Sequence, residues 1–193
     1  QEESESGLPP EAIPDLTWAS EKLREEYVHS LLGGEERSRA RPWLSARMPT
    51  FAHAAPSLAT SWSAEIGLLG ESSKEHSKLV DADLVAIGEK LTGLSTGLDC
   101  RQCHAIGQQQ PAGDDRTQLA LGSNFGLVKQ RLRPEHYLRF VLDPPRFDVS
   151  TRMPKLSLDG KTTKIRDVLE GDARRQFEAI WEFIQTVPDP KSP

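Results

Sequence analysis

Apolar residues along this chain recur at helical spacing in several windows and alternate in none. Between Leu16 and Leu32, the residues Trp18, Leu23, Tyr27, Val28, Leu31 and Leu32 fall on one helical face, and Gly33-Gly34 stops the run. Pro56 opens a second short helix with Leu58, Trp62 and Ile66 on one side. Leu84, Ile87 and Leu91 form the next stripe, with Asp81 or Asp83 placed to cap its start. The segment Leu127 to Leu142 is helical in pattern, divided where Pro134 suits a first turn and ended by Asp143-Pro144-Pro145. A short helix is expected around Lys164 to Glu170. From Asp172 to Val187, Phe177, Ile180, Trp181 and Ile184 take positions i, i+3, i+4 and i+7, the clearest amphipathic pattern in the chain. No window alternates over six residues with β-branched content, so the predicted fold class is all-α.

The stretches between these runs divide the chain. Residues 1–14 are rich in Glu, Ser and Pro and read as a loose leader, and residues 70–80 as a linker. Two helical units result, 15–69 and 81–187, with a tail over 188–193. They are related. Leu23-Arg24-Glu25-Glu26 precedes Arg47-Met48-Pro49, and Leu132-Arg133-Pro134-Glu135 precedes Arg152-Met153-Pro154. In each case a helix runs into a loop, the loop reaches Arg-Met-Pro, and a helix with a Trp follows: an internal repeat.

Composition narrows the function. Aromatic residues are only 6% of the 193 residues, lean enough to suggest that a cofactor supplies part of the apolar volume. The formal charge of −5, with both signs scattered, lacks the basic footprint of a nucleic-acid binder. No run of eighteen apolar residues is present, and the acidic start Gln1-Glu2-Glu3 is unlike a signal peptide, so a mature or trimmed soluble chain is expected.

The two cysteines stand three positions apart, in Cys100-Arg101-Gln102-Cys103-His104. Cys-x-x-Cys-His places two thiols for thioether bonds to haem vinyl groups and the following imidazole beneath the iron. A redox dithiol belongs at a strand end in a βαβ unit, whereas here the pair follows a helix and loop. A structural zinc site needs more ligands, but His29, His53, His76 and His136 are scattered. A chance match is the remaining alternative. A haem-ligating His104 would be held neutral by a backbone carbonyl on its other ring nitrogen, for which a loop residue such as Pro111 is the natural candidate.

Both methionines sit in Arg-Met-Pro loops, which suits a thioether held on a metal better than a core filler. Met153 follows His104 in the usual order of His/Met ligation and is the expected sixth ligand. Met48 precedes the motif in a unit that has no Cys-x-x-Cys-His of its own. That unit is either a degenerate copy retained for packing or one separated from its haem, and Met48 alone is not expected to hold a second haem.

Residues 81 to 187 resemble a class I cytochrome c: a helix with Gly88, the haem motif, a distal helix, a Met loop and a C-terminal helix with an aromatic. The resemblance implies that the first and last helices cross at Gly88 and Trp181. Leu-Arg-x-Glu before Arg-Met-Pro, and Gly171-Asp172 ahead of Gln176 and Ala179-Ile180-Trp181, are similar to cytochrome domains of large multi-domain proteins in planctomycetes. The implied function is electron transfer by one covalent haem c per chain, by a carrier and not an enzyme, in the periplasm or another extracytoplasmic space. The implied partners are redox proteins, docking near Arg101, Gln102 and Ala105 with help from Arg152 and Lys155. The N-terminal repeat is a possible attachment to a larger membrane or multi-domain oxidoreductase. The rival is a haem enzyme or gas sensor with an open sixth site.

Overall fold

The predicted helix over 16–32 is broken in two, and the break organises the N-terminal half. The computed structural model describes residues 16–36, 48–68, 80–113 and 121–190. The leader, Arg47 and nearly all of the 70–80 linker lie outside them. Helix α1 (Ala19–Lys22) and helix α2 (Glu25–Gly33) are separated by Leu23 and Arg24 in extended conformation, φ/ψ −98/142° and −68/145°. Gly34, at φ 81°, ends α2 in the left-handed conformation that glycine adopts without strain. Helices α5 (Val128–Arg131) and α6 (Pro134–Leu142) break in the same way at Leu132 (−100/146°) and Arg133 (−78/137°). Every boundary of the second pair lies 109 residues after its counterpart in the first. The broken helix pair of the sequence repeat thus recurs in the structure, while Arg47 of the first Arg-Met-Pro lies outside the described residues.

In the second copy Pro134 excludes helical geometry at Arg133. Glu25 stands in its place in the first copy, so that break needs another cause. The cause is the other copy. Leu23 and Leu132 form an antiparallel bridge. The Arg24 amide donates to the Arg131 carbonyl and the Arg133 amide to the Lys22 carbonyl, both at 3.0 Å. Exchanging the copies exchanges these two bonds, so the halves meet about a local pseudo-two-fold axis. Arg133 adds donors from its buried side chain: Nε to the Leu23 carbonyl and Nη2 to Ser63 Oγ, each at 3.0 Å.

Helix α3 (Ala55–Glu65) packs on α2 through Ala55 and Ala59, which join Val28 and Leu32 in a small core edged by Leu23 and Trp62. Of its three predicted apolar residues Leu58 and Ile66 are exposed, while Trp62 stays at the edge of the core. Small side chains on the buried face let the α2 and α3 axes approach closely, which bulkier Leu and Ile would prevent.

The larger core lies where helix α4 (Ala82–Thr92) crosses helix α8 (Ala173–Thr186). Asp81 caps α4, its Oδ1 accepting from the amides of Asp83 and Leu84. A Cβ at Gly88 would lie 2.0 Å from the Ala179 carbonyl oxygen and 2.9 Å from Phe183 Cβ, so only glycine permits this crossing. The aromatic opposite Gly88 is thus Phe183, whereas Trp181 packs on the Tyr137 ring at 4.8 Å. Helix α6 completes the core with Tyr137 and Val141, and the short α7 (Pro144–Phe147) follows it.

The helix expected around Lys164 to Glu170 is absent. Buried Gln176 explains why: its Nε2 donates to the carbonyls of Ile165 and Val168, and its Oε1 accepts from Thr163 Oγ1. Carbonyls committed to α8 cannot form a helical ladder. A single 3₁₀ turn, Leu169–Gly171, with positive φ at Leu169, Glu170 and Gly171, leads into α8. Among the described residues only isolated β-bridges occur, and the chain is all-α. No described helix is long and apolar enough to cross a membrane.

Candidate functional site

The Cys-x-x-Cys-His segment leaves α4 through a loop whose backbone folds tightly on itself. The Leu98 amide donates to the Leu91 carbonyl at 2.7 Å, and a Cβ at Gly97 would stand 2.5 Å from that same oxygen. Asp99 adopts φ 61°, held by its carboxylate, which accepts from the Ser95 amide and pairs with Lys164. One 3₁₀ turn, Cys100–Gln102, follows, and the amides of Cys103 and His104 both donate to the Cys100 carbonyl. The turn presents two half-buried, unpaired thiols and the imidazole from one short arc of backbone.

Burial pushes the Cys100 thiol up to about 12 and raises Cys103 as well. A dithiol redox catalyst requires the opposite, a nucleophile with a depressed pKa. Among the described residues no three His, Cys, Asp or Glu side chains gather into a metal cage, so the zinc alternative lacks ligands there.

His104 is fixed by a segment that sequence reasoning passed over. Its Nδ1 donates to the Ser123 carbonyl at 2.7 Å, so the acceptor is Ser123 and not the proposed Pro111. A carbonyl only accepts, so Nδ1 carries the proton and the lone pair belongs to Nε2, the atom able to bind a metal. Desolvation lowers the His104 pKa against the raising effect of that hydrogen bond, keeping the ring neutral.

Gly122 makes the approach possible, since a Cβ there would lie 2.2 Å from the His104 ring. Phe125 covers the ring at a centroid distance of 5.0 Å, and its amide donates to the Ala105 carbonyl. Asn124 ties the two loops together: its Oδ1 accepts from the amides of Gly107 and Gly126 while its Nδ2 donates to the Gly107 carbonyl. The available signal was Gly122-Ser123-Asn124 itself, a run of turn formers directly before an apolar helix.

Met153 is half-buried, and both it and Cys100 border the large core. Met48 is 44% exposed and borders neither core. The charges expected at a docking patch are largely engaged within the chain. Arg101 donates to Thr92 Oγ1 and pairs with Glu89, and Lys155 pairs with Asp143. Gln102 is exposed and Ala105 half-buried. No family model, curated protein or solved structure matches this chain.

Proposed function

We propose that the chain is an electron carrier of the class I cytochrome c kind, with one haem c bound through Cys100 and Cys103 and axially ligated by His104 and Met153. The observation that carries this reading is the His104–Ser123 hydrogen bond, which assigns the proton to Nδ1 and leaves Nε2 as the donor atom. The surrounding residues fit the group. Gly122 clears space at the imidazole, Phe125 shields it, and the thiols are neither paired with one another nor ionised.

When bound, the haem supplies a one-electron couple at iron. The chain's residues set how that couple behaves. The Ser123 carbonyl orients the His104 ring and increases its basicity. Met153 is the residue that would supply a thioether to the group, a ligand type that would favour the reduced state. His104 and Met153 are the residues that would hold the group, and with both engaged neither would leave room for a substrate. The apolar core that Cys100 and Met153 border would shield a group held there from water. Covalent attachment of this type takes place outside the cytoplasm, so the protein is assigned an extracytoplasmic location. Its redox partner would meet the loop carrying exposed Gln102.

A pyridine haemochrome assay together with the ferric spectrum tests the proposal. One haem per chain is expected, with a thioether charge-transfer band that Met153→Ala abolishes and Met48→Ala preserves. A haem-free chain expressed with a haem-attachment system overturns the reading. A high-spin resting spectrum with ready CO binding transfers it to the rival class, a haem enzyme or sensor.

A further inference from the structure

The reach of the Ser123 carbonyl to His104 depends on the spacing of two loops, one carrying His104 and Gly107, the other Ser123 and Gly126. Asn124 sets that spacing from within, through its bonds to Gly107 and to the Gly126 amide. A second tie crosses the same two glycines, and it comes from residues 187–190, which follow α8. Pro188 closes on Gly107, where a Cβ would lie 3.3 Å from both the Pro188 Cγ and its carbonyl oxygen. It closes on Gly126 more tightly still: a Cβ there would collide with the Pro188 carbonyl oxygen and stand 3.0 Å from Pro190 Cδ.

The segment is anchored on either side of Pro188. Lys129 Nζ donates to the Val187 carbonyl at 2.9 Å and pairs with Asp189 at 3.9 Å, while Gln130 Nε2 donates to the Asp189 carboxylate at 2.5 Å. Val187 is buried, but Pro188 and Asp189 are exposed. Exposed side chains gain little from the hydrophobic effect, so the polar anchors are what keep Pro188 on the glycines.

The glycine and the cation of this arrangement are confined to the histidine-bearing unit. Under the 109-residue offset, Thr17 stands in the place of Gly126 and Ser20 in that of Lys129. A tie that served only the broken helix pair would be needed in both copies. The copy that has it is the one with a histidine loop to hold.

We propose that residues 187–190 are a strap that sets the strength of the hydrogen bond on His104, with Lys129, Pro188 and Asp189 as its positioning residues. A firm bond draws the Nδ1 proton toward the Ser123 carbonyl and makes Nε2 a stronger electron donor. Stronger donation favours the oxidised state of a metal held there, so the strap lowers the potential and loosening it raises the potential. The inference rests on the cytochrome reading of Cys100, Cys103 and His104.

The test uses the full chain with haem attached, unaltered and as Pro188→Gly, Lys129→Met and Lys129→Arg. Three quantities are read: solvent exchange of the His104 Nδ1 proton by NMR in the ferrous state, the midpoint potential, and Tm. Pro188→Gly and Lys129→Met should speed the exchange about tenfold, the scale of one charge-assisted hydrogen bond lost, and raise the potential. Lys129→Arg keeps a cationic donor for Val187 and Asp189 and should restore both values. Val28→Ala, in the small core of the other unit, should lower Tm and move neither exchange nor potential. Exchange and potential that stay constant in Pro188→Gly and Lys129→Met overturn the inference, as does an equal change in Val28→Ala. A chain that takes up no haem overturns the cytochrome reading instead. The strap is then judged by amide exchange at Gly107, which should accelerate in both strap variants and whose constancy rejects the strap.

Discussion

Leu23 and Leu132 bridge one another in antiparallel register, and they are the same position in two copies of one element. Two backbone hydrogen bonds flank the bridge, each the image of the other under exchange of the copies. At about 1 kcal/mol net apiece, such bonds are modest in energy but demanding in geometry. They require both helices to break at the same residue, and both do.

Arg133 reinforces that junction, so Arg133→Ala should destabilise the fold by about 3 kcal/mol, from the loss of charge-assisted hydrogen bonds to the Leu23 carbonyl and Ser63. Arg133→Lys should recover little, because an ammonium cannot reproduce the planar fork that serves both acceptors. Denaturant unfolding followed by circular dichroism measures the loss. Any haem band assigned to Met153 should survive under native conditions.

Gly122→Ala places a methyl group into the His104 ring. The expected outcome is a sharp fall in haem incorporation, because the ring must move off the Ser123 carbonyl. Gly160→Ala is the control: φ there is +69° but nothing lies within 4 Å, so it should cost only about 1 kcal/mol and leave the haem content unchanged. Absorbance ratios of purified protein decide between them.

Gly88→Ala tests the helix crossing. The added Cβ meets the backbone oxygen of Ala179, which cannot move without displacing α8. A loss of about 3 kcal/mol is expected, at the upper end for overpacked cores, with a matching fall in Tm. Full stability in this variant would mean that α4 and α8 cross elsewhere.

These sites differ in how far the sequence disclosed them. The helical class, the α8 stripe, the repeat and the arc from Cys100 to His104 were legible because each is local: a period, a spacing or a duplicated phrase. The outward turn of Leu58 and Ile66 was not, because the packing of α2 against α3 is decided by the small residues Ala55 and Ala59, which periodicity counts only weakly. Gln176 likewise gave no advance sign that it would take the carbonyls of Ile165 and Val168. Ser123 was missed for a related reason: its contribution is a carbonyl, which every residue possesses.

His136 makes stability depend on pH. Burial lowers its pKa, outweighing the hydrogen bond to Glu21 at 3.2 Å, which raises it. A group whose folded pKa lies below its unfolded value, about 6.5 for His, binds more protons when unfolded. Its contribution is present above that pH and is lost as pH falls through the folded value. Thermal melts between pH 7.5 and 5.5 should show a steeper decline for the native chain than for His136→Gln. Parallel declines would assign the acid sensitivity to other groups.

The two-fold pairing of the broken helices also dictates an order of events during folding. Each helix pair forms from neighbouring residues, but their junction joins positions 109 apart, and closing so long a loop costs about 4 kcal/mol of chain entropy beyond a constant term. That cost is recovered only once both breaks are extended and both arginines are in place. The halves should therefore dock late, as preformed pieces, and Arg24 and Arg133 should have φ-values near zero.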